Sequence, residues 1–412
     1  MKKVFLSIII ISMAVFYFSA TQITFWYAIG GTSGEAFKEI AEEFNSINKN
    51  VKVKLVYTGS YADTAQKVTA AIATNTLPNG GIIPAGPIFT GARGNYEILD
   101  FMMNDPEFDM NDFFPAMWDY SKYNGKICAI PYNISTPILY YNKDLMREAG
   151  LDPDRPPQTW EELLQASKIV TKDINNDGIP DIWGFDTNDP VWIFKAFLRQ
   201  NENLIIDTEL LTPLFDTPSG IETAEFWKKL IDEKAMPEAQ HSLSENLFLG
   251  GRLAFFMGSS NRIGKWQGNT DFELGVAYLP AGKVRAVPLG GAVAVLFPKK
   301  AEEDEATYQL LKWLTSPENV AKFSMKTGYL PIRKSALELP EMKHFMDENP
   351  LWKVAFEQLE FSFAYWHFDE MGAMDNFIWE ALEKIERGVS SPEEAMKWLT
   401  KSLREEIEAG RE

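Results

Sequence analysis

Strand-period and helix-period hydrophobic patterns alternate along almost the whole chain, and that alternation constrains the fold more than any single motif. Gln22-Ile-Thr-Phe-Trp-Tyr27 alternates apolar and polar residues like a strand, and Gly30-Gly-Thr-Ser-Gly34 reads as a loop. Residues 35–48 then carry apolar side chains at helical spacing, and 51–56 alternate again. Such a β-loop-α-β unit puts a Gly-rich turn at the carboxyl end of a strand, where open α/β sheets bind ligands. The Gly-x-Gly-x-x-Gly spacing of a dinucleotide site is absent. Further helices are predicted over 62–74, 160–171, 302–314, 317–327 and 376–388, and further strands over 127–131, 138–141, 253–257, 274–278 and 293–297. The expected class is α/β in both halves of the chain.

A chain of 412 residues with 45% hydrophobic content is long enough for two domains. Asp and Glu outnumber Lys and Arg by 58 to 40, giving a net charge of −18. Such a surface repels phosphate backbones, so no nucleic-acid partner is expected. At the start, Lys2 and Lys3 precede an apolar run from Val4 to Phe18 that ends in Ser19-Ala20, the three-part layout of a secretory signal peptide cleaved near residue 20. The run is short of the roughly 20 residues a membrane-spanning helix needs. The mature protein is therefore expected outside the cell or in the periplasm.

Reactive chemistry finds little support. Cys128, the single cysteine, sits in an apolar strand-like run and reads as a buried inert thiol. The three histidines, His241, His344 and His367, have no metal-ligand spacing. Carboxylate pairs for glycoside hydrolysis could come from Asp369-Glu370 or from Asp186 and Asp189, and a secreted glycan-degrading enzyme is one alternative on that ground. Asp173, Asn175, Asp177 and Asp181 place oxygens at calcium-loop positions, with Gly178 at the turn. The closing Glu of an EF-hand is replaced by Gly184, so a structural calcium and an Asx-stabilised turn both stay open. No other cofactor is expected. Aromatic residues fall in polar loops and at strand ends: Trp26-Tyr27, Tyr61, Trp192, Trp266, Tyr329 and Tyr365-Trp366. Their faces suit stacking on the C–H faces of sugars and polyols.

Tyr132-Asn-Ile-Ser-Thr-Pro-Ile-Leu-Tyr-Tyr-Asn-Lys-Asp-Leu-Met-Arg-Glu-Ala-Gly-Leu-Asp-Pro-Asp154, followed by Pro156-Pro-Gln-Thr-Trp-Glu-Glu162, resembles the extracellular solute-binding proteins of ABC importers, above all the carbohydrate and glycerol-3-phosphate binders. Gly250-Gly-Arg-Leu-Ala-Phe-Phe256, Gly290-Gly-Ala292, Ser316-Pro-Glu-Asn319 and Thr327-Gly-Tyr-Leu-Pro-Ile332 resemble further landmarks of that family, in its order. The resemblance covers nearly all of the mature chain. It implies a two-lobe periplasmic-binding-protein fold of type II, each lobe a β-sheet flanked by helices, closing by hinge motion on a ligand held between them. Residues 21–131 with 288–335 would form one lobe, and 132–287 with 336–412 the other.

The family's contacts carry over to Tyr61, Ser135, Ser259 or Ser260, Gly290 or Gly291, and Tyr329, with Asn261 beside the serine pair and Trp192 as a platform for the ligand face. Trp26 joins this set as an aromatic at a strand end. Two departures matter: the family's phosphate-holding Arg aligns roughly with His367, and its acid after the second strand falls in Ile83-Pro-Ala-Gly86. A desolvated phosphate needs charge-assisted donors, and neutral imidazole replaces a guanidinium poorly. Arg262 or Arg93 could supply such a contact from a new place, which keeps glycerol-3-phosphate or another sugar phosphate as the alternative ligand. In the sugar version Trp366 stacks, His367 donates or accepts, and Asp369 accepts from hydroxyls. The expected function is capture of a neutral sugar or polyol, cyclic polyols such as inositol included, for delivery to the transmembrane subunits of an ABC permease. The expected protein is a monomer and not an enzyme.

Overall fold

The computed structural model describes residues 20–85, 97–123, 125–365, 367–368 and 370–410. The leader apart from Ala20, together with Arg93, Trp366 and Asp369, lies outside the described residues. The main strands are β1 (Thr21–Tyr27), β2 (Val51–Tyr57), β3 (Gly80–Pro84), β4 (Ile130–Ser135), β5 (Pro137–Asn142), β6 (Trp183–Thr187), β7 (Leu253–Ser259), β8 (Leu274–Ala277) and β9 (Gly290–Leu296). They form two sheets, one in the order β2-β1-β3-β9-β4 and the other in the order β8-β5-β7-β6. In the first, β1 runs parallel to β2 and β3, while β9 lies antiparallel to β3 and β4.

Helices pack around both sheets. Those that bear on the cleft described below are α1 (Gly31–Ile47), α2 (Tyr61–Thr74), α3 (Pro190–Gln200), α4 (Pro218–Asp232), α5 (Pro317–Thr327), α6 (Met371–Glu386) and α7 (Pro392–Ala409). Most predicted elements sit within a few residues of the observed ones. The expected loop at residues 30–34 is a correction, since α1 begins at Gly31 with φ +56°. Gly34 fits there because a Cβ would lie 2.4 Å from the Ile29 carbonyl oxygen.

Alternating side chains of β5 serve two cores: Ile138 and Tyr140 enter the first, Leu139 and Tyr141 the second. The first core fills the first sheet and continues onto the inner face of the second, and the other core lies behind the second sheet. The chain passes between sheets at Thr136, the residue between β4 and β5, and returns at Leu289, between Val287–Pro288 and β9. It leaves the first lobe again after Lys334–Glu338, and the helix Pro350–Glu357 then packs on β8. Among the described residues no helix is long and apolar enough to cross a membrane.

Candidate functional site

A cleft of about 1100 Å³ opens between the sheets, at the carboxyl ends of β1, β2, β6 and β7. Two capped helix starts present its aromatic faces. Ser60 caps α2 in a reciprocal capping box with Asp63, which sets Tyr61 at the first helical position on the cleft wall. Across the cleft Asp189 caps α3, with Pro190 at the first position, and places Trp192 in the first turn.

Apart from Lys326 at its rim, the wall on the first-lobe side is neutral and built largely from backbone and tyrosine. Tyr61 accepts a hydrogen bond from Asn133 Nδ2 at 2.9 Å, and Tyr120 donates to the Gly291 carbonyl at 3.2 Å. Tyr329 stacks on Phe323 with ring centroids 5.8 Å apart. Gly290 and Gly291 open β9, with an irregular register between Gly291 and Val293. A Cβ on Gly290 would lie 2.8 Å from the Trp192 indole, so the missing side chain is what lets Trp192 cross to the hinge strand. Gly291 holds φ +122°, and a Cβ there would lie 2.0 Å from the Asn133 carbonyl oxygen.

The wall on the second-lobe side is charged, and its cations face acids. Lys195, whose side chain is 3% exposed, pairs with Asp375 and lies 4.6 Å from the Tyr365 ring centroid. Arg262 meets Glu245 at 3.2 Å and Lys265 meets the same carboxylate at 3.5 Å, while on the opposite, first-lobe rim Lys326 of α5 pairs with Glu39 of α1. Asp189 opens onto the cleft with protein on either side, and that crowding pushes its carboxyl above the ordinary range. The Tyr365 hydroxyl is buried with no partner among the described residues.

Of the residues singled out in the sequence, Tyr61, Ser135, Trp192, Ser259, Asn261, Gly290, Gly291 and Tyr329 line the cleft. Trp26, Ser260 and His367 do not, nor do Tyr27 and Trp266, which are buried in the first core. Trp26 packs at the edge of the first core, on the face of β1 opposite Phe25 and Tyr27. Ser260 is fully buried, with Oγ 3.5 Å from the Gly328 carbonyl, so only Ser259 of the pair faces the cleft. His367 is buried behind two cleft residues, with Nδ1 3.2 Å from Met371 Sδ and its ring edge-on to Tyr120. Burial lowers its pKa to about 4, so it is neutral at pH 7.

Tyr365, singled out as an aromatic, also lines the cleft, whereas Lys195, Asp375, Glu245 and Trp379 are cleft residues that sequence reasoning did not place. The one local signal was spacing: Lys195 lies three residues after Trp192 on α3, and Trp379 four after Asp375 on α6. Asp186 is fully buried against His241, so it does not face Asp189 across a substrate. Cys128 is buried and donates to the Ser121 carbonyl, and burial pushes its thiol up. In the 173–181 segment the oxygens accept backbone N–H groups, as an Asx-stabilised turn does: Asp181 from Ile174, Asn175 from Asp177, Asp173 from Gly178 and Asp177 from Ile179. Among the described residues no group of three or more His, Cys, Asp or Glu is gathered to hold a metal.

Comparison with known proteins agrees with this architecture. The chain is 28% identical over 406 residues to the sn-glycerol-3-phosphate-binding periplasmic protein of Salmonella typhimurium, covering 92% of this chain and 90% of that one. Against the corresponding protein of Rhizobium meliloti it is 28% identical over 363 residues, covering 81% and 80%. Among solved structures, UgpB from Mycobacterium tuberculosis in complex with glycerophosphocholine superposes with a TM-score of 0.83 at 26% identity, over 95% of this chain and 100% of that one. The cyclic alpha-maltosyl-1,6-maltose binding protein of Arthrobacter globiformis gives 0.83 at 25%, over 93% and 98%. The profile of the bacterial extracellular solute-binding proteins matches residues 39–350. With two sheets, a cleft between them and a family match over most of its length, this chain belongs to the bacterial extracellular solute-binding proteins of ABC importers, has their type II periplasmic-binding-protein fold, and acts outside the cytoplasmic membrane.

Proposed function

We propose that the chain captures a neutral sugar or polyol in the cleft and presents it, with the lobes closed, to the transmembrane subunits of an ABC permease. One observation carries the choice of a neutral ligand. Lys195, Arg262, Lys265 and Lys326, the cations of the cleft wall, each face a carboxylate of the protein itself. A phosphate would have to take a cation from its acid, leaving that acid partly desolvated and uncompensated. Trp192, Tyr61 and Tyr329 supply ring faces, while Asp189, Ser135, Ser259 and Asn261 supply polar groups for hydroxyls. Trp366 and Asp369 belong to this reading by loop position alone.

The lobes in this reading are joined at Thr136, Leu289 and the segment after Glu338, so the first boundary moves from residue 131 to 136. Residues 1–20 act as a cleaved leader, and the mature protein works as a monomer without enzymatic turnover or a nucleic-acid partner. A second reading is a glycerol phosphate ester, favoured by the relatives that bind one and by Arg262 and Lys265 sharing the single carboxylate of Glu245. A thermal-shift screen of the mature chain against mono- and oligosaccharides, inositols and glycerol-3-phosphate separates the two. A ligand at 100 times its Kd adds about 2.7 kcal/mol. Stabilisation by a neutral sugar or polyol is the expected result, and stabilisation by glycerol-3-phosphate alone would overturn it.

A further inference from the structure

Behind the charged wall of the cleft, three ionisable side chains from distant parts of the chain meet where water does not reach. His241 Nδ1 lies 2.7 Å from Asp186 Oδ1, and its Nε2 lies 3.0 Å from Glu386 Oε1. The side chains are 5%, 0% and 2% exposed in that order. Both ring nitrogens face carboxylate oxygens, and an imidazole can donate at both only as imidazolium. Backbone and indole donors add to the shell: Thr187 N–H to Asp186 Oδ1 at 2.8 Å, Trp227 Nε1–H to Glu386 at 2.7 Å, and Ala239 N–H to Glu386 at 3.0 Å, while Asp186 Oδ2 is buried with no partner among the described residues. Ala239, which makes the last of these bonds, holds a left-handed φ of +44°.

Each member stands close in sequence to a segment of the cleft wall. Asp186 is the penultimate residue of β6, three residues before Asp189 and six before Trp192. Glu386 ends α6, the helix that carries Asp375 and Trp379 to the cleft. His241 precedes by four residues Glu245, the partner of Arg262. We infer that Asp186, His241 and Glu386 form a buried charged clamp that positions these three segments relative to one another and so sets the shape of the second-lobe wall. They are positioning residues and do not touch the ligand.

Elements that touch this wall only through apolar packing could slide by a fraction of a side chain, whereas directional charge-assisted bonds in a dry site fix both distance and angle. The charged groups facing His241 are Asp186 from β6 and Glu386 from α6, with Glu383 one turn earlier on α6 lining a cavity of about 90 Å³ beside it. Around the ring stand Trp227 of α4 and Trp379 of α6. The two carboxylates raise the imidazole pKa to about 10 against the cost of burial.

The inference rests on reading the cleft as the ligand site, but its test uses no ligand, so it stands or falls apart from the sugar screen. In ¹⁵N imidazole spectra of the full chain, which has three histidines, His241 is expected to stay doubly protonated well above pH 7 and to titrate at about pH 10. In Glu386→Gln that midpoint moves down. Amide hydrogen exchange then accelerates at least about tenfold over 186–192, 241–249 and 371–379, with β1 to β3 unchanged. If Glu386→Gln does not fold, the unaltered chain compared between about pH 7 and pH 10.5, corrected for intrinsic exchange, reads the same loosening as His241 loses its proton. A His241 midpoint near the ordinary value of about 6.5 would overturn the clamp. So would acceleration spread evenly over both lobes, or none in the three segments.

Discussion

The two walls of the cleft are built on different principles. Apart from Lys326 at its rim, the first-lobe wall is neutral: backbone at Gly290 and Gly291, phenols at Tyr61, Tyr120 and Tyr329, and Ser135 at the end of β4. The second-lobe wall is a lattice of charges, Lys195 with Asp375 and Arg262 with Glu245, resting on the buried Asp186, His241 and Glu386. A backbone wall is held by chain geometry and tolerates no added atoms, whereas a charged wall is held by pairing and tolerates no lost partner. The difference teaches where each wall is vulnerable.

Breaking the first wall should give the largest effect. Gly291→Ala drives a Cβ into the Asn133 carbonyl at a left-handed φ, and we expect a loss of about 3 kcal/mol or more, read from chemical denaturation. Gly290→Ala meets only the movable Trp192 ring and should cost far less stability. If the two substitutions cost the same, the contrast between backbone and side-chain control fails.

On the second wall, Asp375→Asn leaves the buried Lys195 ammonium without its anion. A fully buried pair would lose about 3 to 5 kcal/mol, and because Asp375 is 41% exposed we expect about 2 kcal/mol, seen as a midpoint several degrees lower. Trp192→Ala touches both walls at their meeting point. It should weaken ligand binding at least about tenfold, some 1.4 kcal/mol, with little loss of fold. Calorimetry with whichever sugar stabilises the chain checks this, and unchanged affinity would remove Trp192 from the site.

Acidity offers a way to tell the walls apart without mutation. The folded pKa of His241 is raised above its unfolded value, so its contribution is fully present below about pH 6.5 and is lost as pH rises through about 10. The thermal midpoint of the unaltered chain should fall across that window, and in His241→Gln this part of the slope should disappear. Asp186, also raised by burial, acts with the same sign, and the His241→Gln comparison isolates the histidine's part. The smallest effect is expected at the rim, where Lys326→Met breaks an exposed pair with Glu39 and should change stability by no more than about 0.5 kcal/mol.

Much of the neutral wall was legible in the sequence, since Ser135, Gly290, Gly291 and Tyr329 lie in short contiguous motifs that specify local backbone shape. The charged wall was not. Lys195 and Asp375 lie 180 residues apart, and His241 lies 55 residues from Asp186 and 145 from Glu386. No periodicity marks such pairs, and in a chain with 58 acids a single carboxylate carries no signal of its own. Trp26 was misread for a related reason: sequence showed an aromatic near a strand end, but which face of β1 it occupies depends on register with β2 and β3.

By itself the sequence determined the alternation of strands and helices, the caps at Ser60 and Asp189 that aim Tyr61 and Trp192, and the glycines at the hinge strand. These are properties of a few neighbouring residues, set by hydrophobic period, capping and φ. Only the tertiary structure decided which acids meet which bases, which of Ser259 and Ser260 faces the cleft, and that His241 is buried between two carboxylates while His367 is buried neutral. Charge pairing and burial are fixed by distances across the folded chain, and at those separations sequence proximity carries no information.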